Sequence, residues 1–302
     1  MAANRNIIDM STLPVPDVVQ IPDTEAIFSQ WLAKVRELDP EFDALVESEP
    51  AYKQGEAGAY RVALLMQRVN DSARAVLLAS AMKTDLDQLG ANFNVRRMVI
   101  TPAQPEAIPP VEAVYEDDDA FRERIQLSWS QLNTAGARSA YRFHAKSAAA
   151  DVLDAEAYGP ETHGRPGCVD VYVLSREGDG TASQELLESV NTALNADEIR
   201  PLTDYVSVQS ALLTRFNVVA ELVIDDGPDA ATVRDNAVAV LRNYLSLMHR
   251  INRGVPLSGI YHALHNDGVS RVELHEPAAD IPGATGTAPY CENISVTHCP
   301  ED

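Results

Sequence analysis

The sequence predicts an α+β chain: an N-terminal helical domain over residues 1–100, a proline-rich connector with a helical pair over 101–150, and two small modules of β-α-β type, 151–213 and 214–302. Three features point to it. Apolar residues before residue 100 recur at helical spacing. Pro102, Pro105, Pro109 and Pro110 crowd one short stretch. From residue 151 the spacing shifts to the two-residue period of strands. At 302 residues the chain also exceeds the usual size of a single hydrophobic core.

The first helix is expected from Asp23, with Phe28, Trp31, Leu32, Val35 and Leu38 on its apolar side and Asp39-Pro40 as the stop. A longer pattern runs from Pro50, a favourable first-turn residue, to about Met82. Its stripe holds Val62, Leu65, Met66, Val69, Ala73, Val76 and Leu77, while Arg61, Gln67, Arg68 and Arg74 fall largely off it. A helix of that length needs a bundle or another chain to cover its apolar side. Val62, Leu65, Met66, Val69, Val76 and Leu77 are therefore the candidate partner interface, and the alternative cover is the chain's own Phe28–Leu38 helix. Gly55, Ala57, Gly58 and Ala59 permit close helix approach or mark a weak point in the helix. A short helix follows with Thr84 as N-cap and Asp87 at the reciprocal position.

The prolines at 102–110 predict an extended, semi-rigid connector and the clearest domain boundary. Asp117, Asp118 and Asp119 precede the helical run Phe121 to Leu127 and are read as caps in preference to metal ligands. Asn133-Thr134 is expected to cap a further helix reaching about Ala148. In the third region Val169, Val171 and Val173 mark a strand, Ser183–Leu194 a helix and Tyr205–Leu213 a returning strand. In the fourth, a strand at Phe216–Ile224 turns at Asp225-Asp226-Gly227-Pro228 into a helix from Asp229 to about His249. A helix at Ser258–Leu264 and strands at Val269–Leu274 and Ile294–Val296 complete it.

Composition narrows the function classes. With 24 Lys and Arg against 45 Asp and Glu, the net charge is −21, which repels phosphate backbones and anionic membranes. Neither nucleic acid nor membrane is an expected partner. Cys168, Cys291 and Cys299 are too few for a disulfide framework in a chain this long. No run of about 18 apolar residues and no signal-peptide pattern occurs, so the chain is expected to stay in the cytoplasm or leave it only inside something larger.

Motifs for chemistry are weak. Gly178-Asp179-Gly180 lies between a strand and a helix, where a phosphate loop belongs, but Ser183 replaces the third glycine of the dinucleotide pattern, no lysine follows, and Glu177 and Asp179 repel an anion. A tight turn with a helix cap is the better reading. His262 and His265, near His249 and His275, lack an identifiable third ligand, and neighbouring His298 and Cys299 point to opposite faces of a strand. No metal, cofactor, catalytic residue or small-molecule substrate is assigned. A nucleophile elbow and a zinc-protease motif are both missing, which lowers the expectation of an enzyme.

Several stretches, in order along nearly the whole chain, carry a resemblance: Tyr60 to Ala79, Arg124 to Ser128 followed by Asn133 to Gly136, Val173 to Ser183, Arg200 to Val208, and Ser258 to His265. They resemble the baseplate assembly protein J family of contractile-tailed bacteriophages, similar to the larger wedge protein of T-even phages. The resemblance implies a structural subunit of the virion's tail baseplate, assembled in the bacterial host cytoplasm. It implies as partners a second copy of the chain, a second wedge protein joined through the N-terminal helices, and hub, spike and sheath-proximal tail proteins. It further implies C-terminal modules that pair between wedges to close a ring, and a rearrangement that releases the sheath. A tail-like bacteriocin or other contractile injection device is the alternative within the class, and a cytoplasmic enzyme of unrecognised type the alternative outside it.

Overall fold

The computed structural model describes residues 8–14, 18, 20, 23–42, 47–132, 137–225 and 229–300, and it has the expected α+β character. Two compact units divide the chain, residues 8–97 with 117–122, and residues 98–116 with 123–302.

In the first unit, α1 (Thr24–Leu38) ends at Asp39, as the Asp-Pro stop predicts. The next helix, α2 (Pro50–Ala75), packs on it. Their contact is aromatic: Phe28 stacks on Trp31 at 5.6 Å between ring centroids and tilts against Tyr52 at 4.6 Å. Ile27, Phe28 and Ala59 form its buried core, with Trp31, Leu32, Tyr52 and Ala63 packed around them. Gly55 makes this approach possible, since a Cβ there would stand 2.4 Å from the Trp31 ring and 2.7 Å from that of Phe28. Gly55→Val is therefore expected to lower the melting temperature of the helical pair and expose Trp31. A Trp31 fluorescence melt indistinguishable from wild type would contradict this packing.

Helix α2 stops at Ala75, short of the expected Met82, which places Val76 and Leu77 in the turn that follows. The Ser80 hydroxyl donates to the Arg74 carbonyl at 2.7 Å, satisfying a terminal acceptor that a further helical turn would have used. The expected capping box at Thr84 does not form. Helix α3 (Lys83–Asn92) starts two residues earlier, with Met82 at the N-cap position, the Lys83 N–H donating to Asp118, and Asp87 paired with Arg97. The third helix is anchored by Leu86, which is fully buried.

The proline stretch folds back on itself instead of running extended. Strands β1 (Val99–Thr101) and β2 (Val114–Tyr115) pair antiparallel, and Gln104 and Val111 exchange backbone hydrogen bonds of 2.8 and 3.1 Å. Those two residues retain the N–H groups that the prolines lack, so they close the hairpin. Helix α4 (Asp118–Leu127) is capped as expected, with Asp117 Oδ1 accepting from the Ala120 N–H. Helix α5 (Arg138–Ala148) begins at Ala137, and the expected Asn133-Thr134 cap lies outside the described residues.

A three-stranded sheet follows. Strand β3 (Val152–Tyr158) pairs antiparallel with β4 (Cys168–Ser175), and the short helix α6 (Pro160–His163) joins them. Helix α7 (Gln184–Leu194) then crosses to β5 (Tyr205–Ser210), parallel to β4. This β4-α7-β5 unit matches the expected one, whereas β3 had no counterpart in the sequence reading. Val171, Val173, Val190 and Leu194 are fully buried at its centre.

The returning strand expected to reach Leu213 ends at Ser210. At Ala211 the chain passes directly into β6 (Leu212–Ile224), the central strand of a second sheet in the order β7-β6-β8. Helices α8 (Ala230–Met248) and α9 (Leu257–Leu264) cover one face of it. Strand β7 (Val269–Glu276) is antiparallel to β6, while β8 (Thr287–Pro300), much longer than Ile294–Val296, runs parallel to it. Alternation along β6 buries Val218, Ala220 and Leu222 under the helices and turns Asn217, Val219 and Glu221 to the other face.

Candidate functional site: an apolar flank of the long helix

At about 100° per residue, Gly55, Ala59 and Ala63 of α2 fall on the side turned to α1. Val62, Leu65 and Val69 fall on the adjoining flank, roughly a sixth of a turn or more away. There the side chains stay in solvent: Leu65 is 66% exposed, Val69 48% and Val62 39%, with Val76 at 67% in the turn beyond. Leu77 is exposed as well, and Met66, in line with the residues turned to α1, is half-buried. Tyr60 and Leu64 add apolar surface on the far side of the helix and were not among the predicted interface residues. The helix thus has one covered side and a broad bare one.

Charged residues of the same unit serve the fold. Arg97 donates to both Asp87 and Asp118, and Arg122 pairs with Asp119 while donating to the Leu78 and Ala81 carbonyls. Burial opposes ionisation of Asp118, but the Lys83 N–H and the Arg97 guanidinium outweigh it and hold the carboxyl below its ordinary range. All three aspartates read as caps or metal ligands are thereby engaged within the chain.

Sites suggestive of chemistry resolve in the same direction. In the Gly178–Ser183 loop the Ser183 hydroxyl accepts from the Leu186 N–H at 3.2 Å, and Asp179 accepts from Thr181. The Thr181 backbone, then its side chain, and then Arg215 hold the Asp179 carboxyl down to about 2. The loop is a turn with a cap. Ser207, Asp170 and His163 lie together, and the serine donates to the Asp170 carboxylate at 2.7 Å instead of to the imidazole. Beside them β3, α6 and β4 border a cavity of about 410 Å³, where Tyr141 donates to Asp204 and Arg138 pairs with Glu161. His265 falls just past α9, and the His249 ring faces the Pro289 carbonyl at 2.6 Å. Cys291 and Cys299 are separated by eight positions of one strand, about 26 Å, too far to share an ion.

The first unit thus carries an exposed apolar helix flank, and in the second the polar groups of the glycine loop, the Ser207 cluster and the cavity pair within the chain. Comparison with known proteins gives the family. Residues 47–104 match the Baseplate J-like N-terminal domain, and residues 133–210 match the Baseplate J-like central domain. The chain is 43% identical over 297 residues to baseplate protein J of Escherichia phage P2, covering 96% of this chain and 97% of that one. It is also similar to a chain in the 6-fold symmetrised baseplate of the anti-feeding prophage, with a TM-score of 0.42 and 14% identity over 60% of this chain and 43% of that one. The chain belongs to the baseplate J family and is a structural subunit of the phage tail baseplate.

Proposed function

We propose that the chain is a wedge subunit that joins others at two places. The flank of Val62, Leu65, Met66, Val69, Val76 and Leu77 binds helices of a second copy and of another wedge protein, and the modules after residue 151 pair between wedges to close a ring around the hub. The single observation that carries the first half is the bare flank itself, which the chain's own α1 leaves uncovered while packing beside it. The net charge of −21 favours partners with complementary basic surfaces. Movement of the ring would pass the trigger for contraction to the sheath.

The ring contact has a direct test. A fragment of residues 151–302, measured by light scattering at rising concentration, is expected to show self-association that strengthens with concentration. Contacts supported by avidity are weak singly, so the association belongs at high concentration. A strictly monomeric fragment at all concentrations would count against pairing through these modules.

A further inference from the structure

On the face of the second sheet opposite α8 and α9, Glu221 of β6 stands directly across from Glu273 of β7. Like charges in that position destabilise an antiparallel pair. Two residues further along β7 comes His275. The register there steps from Ala220↔Leu274 to Val219↔Glu276, leaving His275 as the extra residue of a β-bulge. Bulges of this kind re-aim a side chain. One ligand atom from each of Glu221, Glu273 and His275 lies within 4.8 Å of the other two.

We propose that Glu221, Glu273 and His275 form a binding site for a divalent cation of the zinc class. Two carboxylates and one imidazole suit such an ion, and the imidazole disfavours calcium and magnesium, which select oxygen. Around zinc at about 2.0–2.2 Å, donors are roughly 3–3.5 Å apart, so the side chains must close slightly on the ion. Glu273 and His275 are exposed and Glu221 half-buried, so their rotamers are free to do so. Arg271 Nη2 donates to Glu273 Oε1 at 2.7 Å and neutralises one carboxylate. The second carboxylate charge is left for the cation, and the remaining coordination positions face water. Unlike His298 and Cys299, which alternate across a strand, Glu273 and His275 are two residues apart on β7 and Glu221 stands across from Glu273, so all three share one face.

Equilibrium dialysis of the full chain against zinc chloride tests the site. The expected result is one zinc per chain, with affinity reduced at least about tenfold by Glu221→Gln and by His275→Ala. Binding should be unchanged by Cys291→Ser and not displaced by millimolar magnesium. Melting curves of the zinc-free variants check that both remain folded. No saturable binding below about 1 mM zinc, undiminished binding by either variant, loss of binding with Cys291→Ser, or displacement by magnesium would each overturn the proposal.

Discussion

Leu65→Asp is expected to abolish assembly of the chain with its helical partners while leaving the chain itself folded. Leu65 is 66% exposed, so the substitution removes little that the isolated chain depends on, and its effect on thermal stability should stay within about 0.5 kcal/mol. In an inter-chain bundle the same position is desolvated. There the aspartate loses its water without gaining a partner, and the binding loss is expected to reach at least about 2–4 kcal/mol, the range of a central interface residue. Val69→Asp, one helical turn on, should behave alike, whereas Gln67→Asp, off the stripe, should assemble normally. Size-exclusion chromatography of co-expressed baseplate proteins reads all three. Normal assembly of the Leu65→Asp chain would refute the interface.

Glu116→Ala is expected to destabilise the second unit by about 3–5 kcal/mol, the cost of breaking a buried ion pair by removing one partner. The carboxylate accepts from Arg124 at both oxygens, Nε to Oε1 and Nη2 to Oε2, each at 2.8 Å, and both side chains are only 4% exposed. Glu116 ties the hairpin to α4: its backbone N–H donates to the Met98 carbonyl, and its side chain accepts from the Met98 N–H. Removing the carboxylate takes two short hydrogen bonds and the opposite charge from a buried guanidinium, which also donates to the Ser147 hydroxyl at 3.3 Å. Urea unfolding followed by circular dichroism measures the loss. A Glu116→Leu, Arg124→Met double variant should recover most of it, because no charge is then left buried. A double variant as unstable as the single one would show that the pair does more than neutralise itself.

The helices of this protein were legible because their apolar residues keep a period near 3.6, and α1, α2, α7 and α8 all lie close to where spacing and caps place them. Their ends were less so. The stop at Ala75 depends on the Ser80 hydroxyl reaching back to Arg74, a contact that periodicity does not encode. Strand β3 escaped notice because Asp154 and Glu156 interrupt its apolar character, yet both are buried. Asp154 accepts from the Ile251 N–H, 97 residues away, and Glu156 faces Arg142 of α5. Polar groups paired at long range look like solvent-facing residues until the fold is known. The prolines read as a linear connector for a similar reason, since the hairpin rests on Gln104 and Val111 finding each other across the turn.

The bare flank of α2 was readable as a stripe, but spacing alone could not say which side α1 would take. The aromatic contact of Phe28 and Trp31 over Gly55 decides that, and leaves Leu65 and Val69 outside. The trio of Glu221, Glu273 and His275 was invisible in the sequence because it depends on the register that sets Glu221 of β6 across from Glu273 of β7.

Cryo-electron microscopy of the native particle tests the central claim most directly. The expected result is this chain in sixfold-arranged wedges at the end of the tail, with Val62, Leu65 and Val69 of α2 packed against helices of other chains. A baseplate in which that flank faces solvent, or a particle lacking the chain at its baseplate, would contradict it.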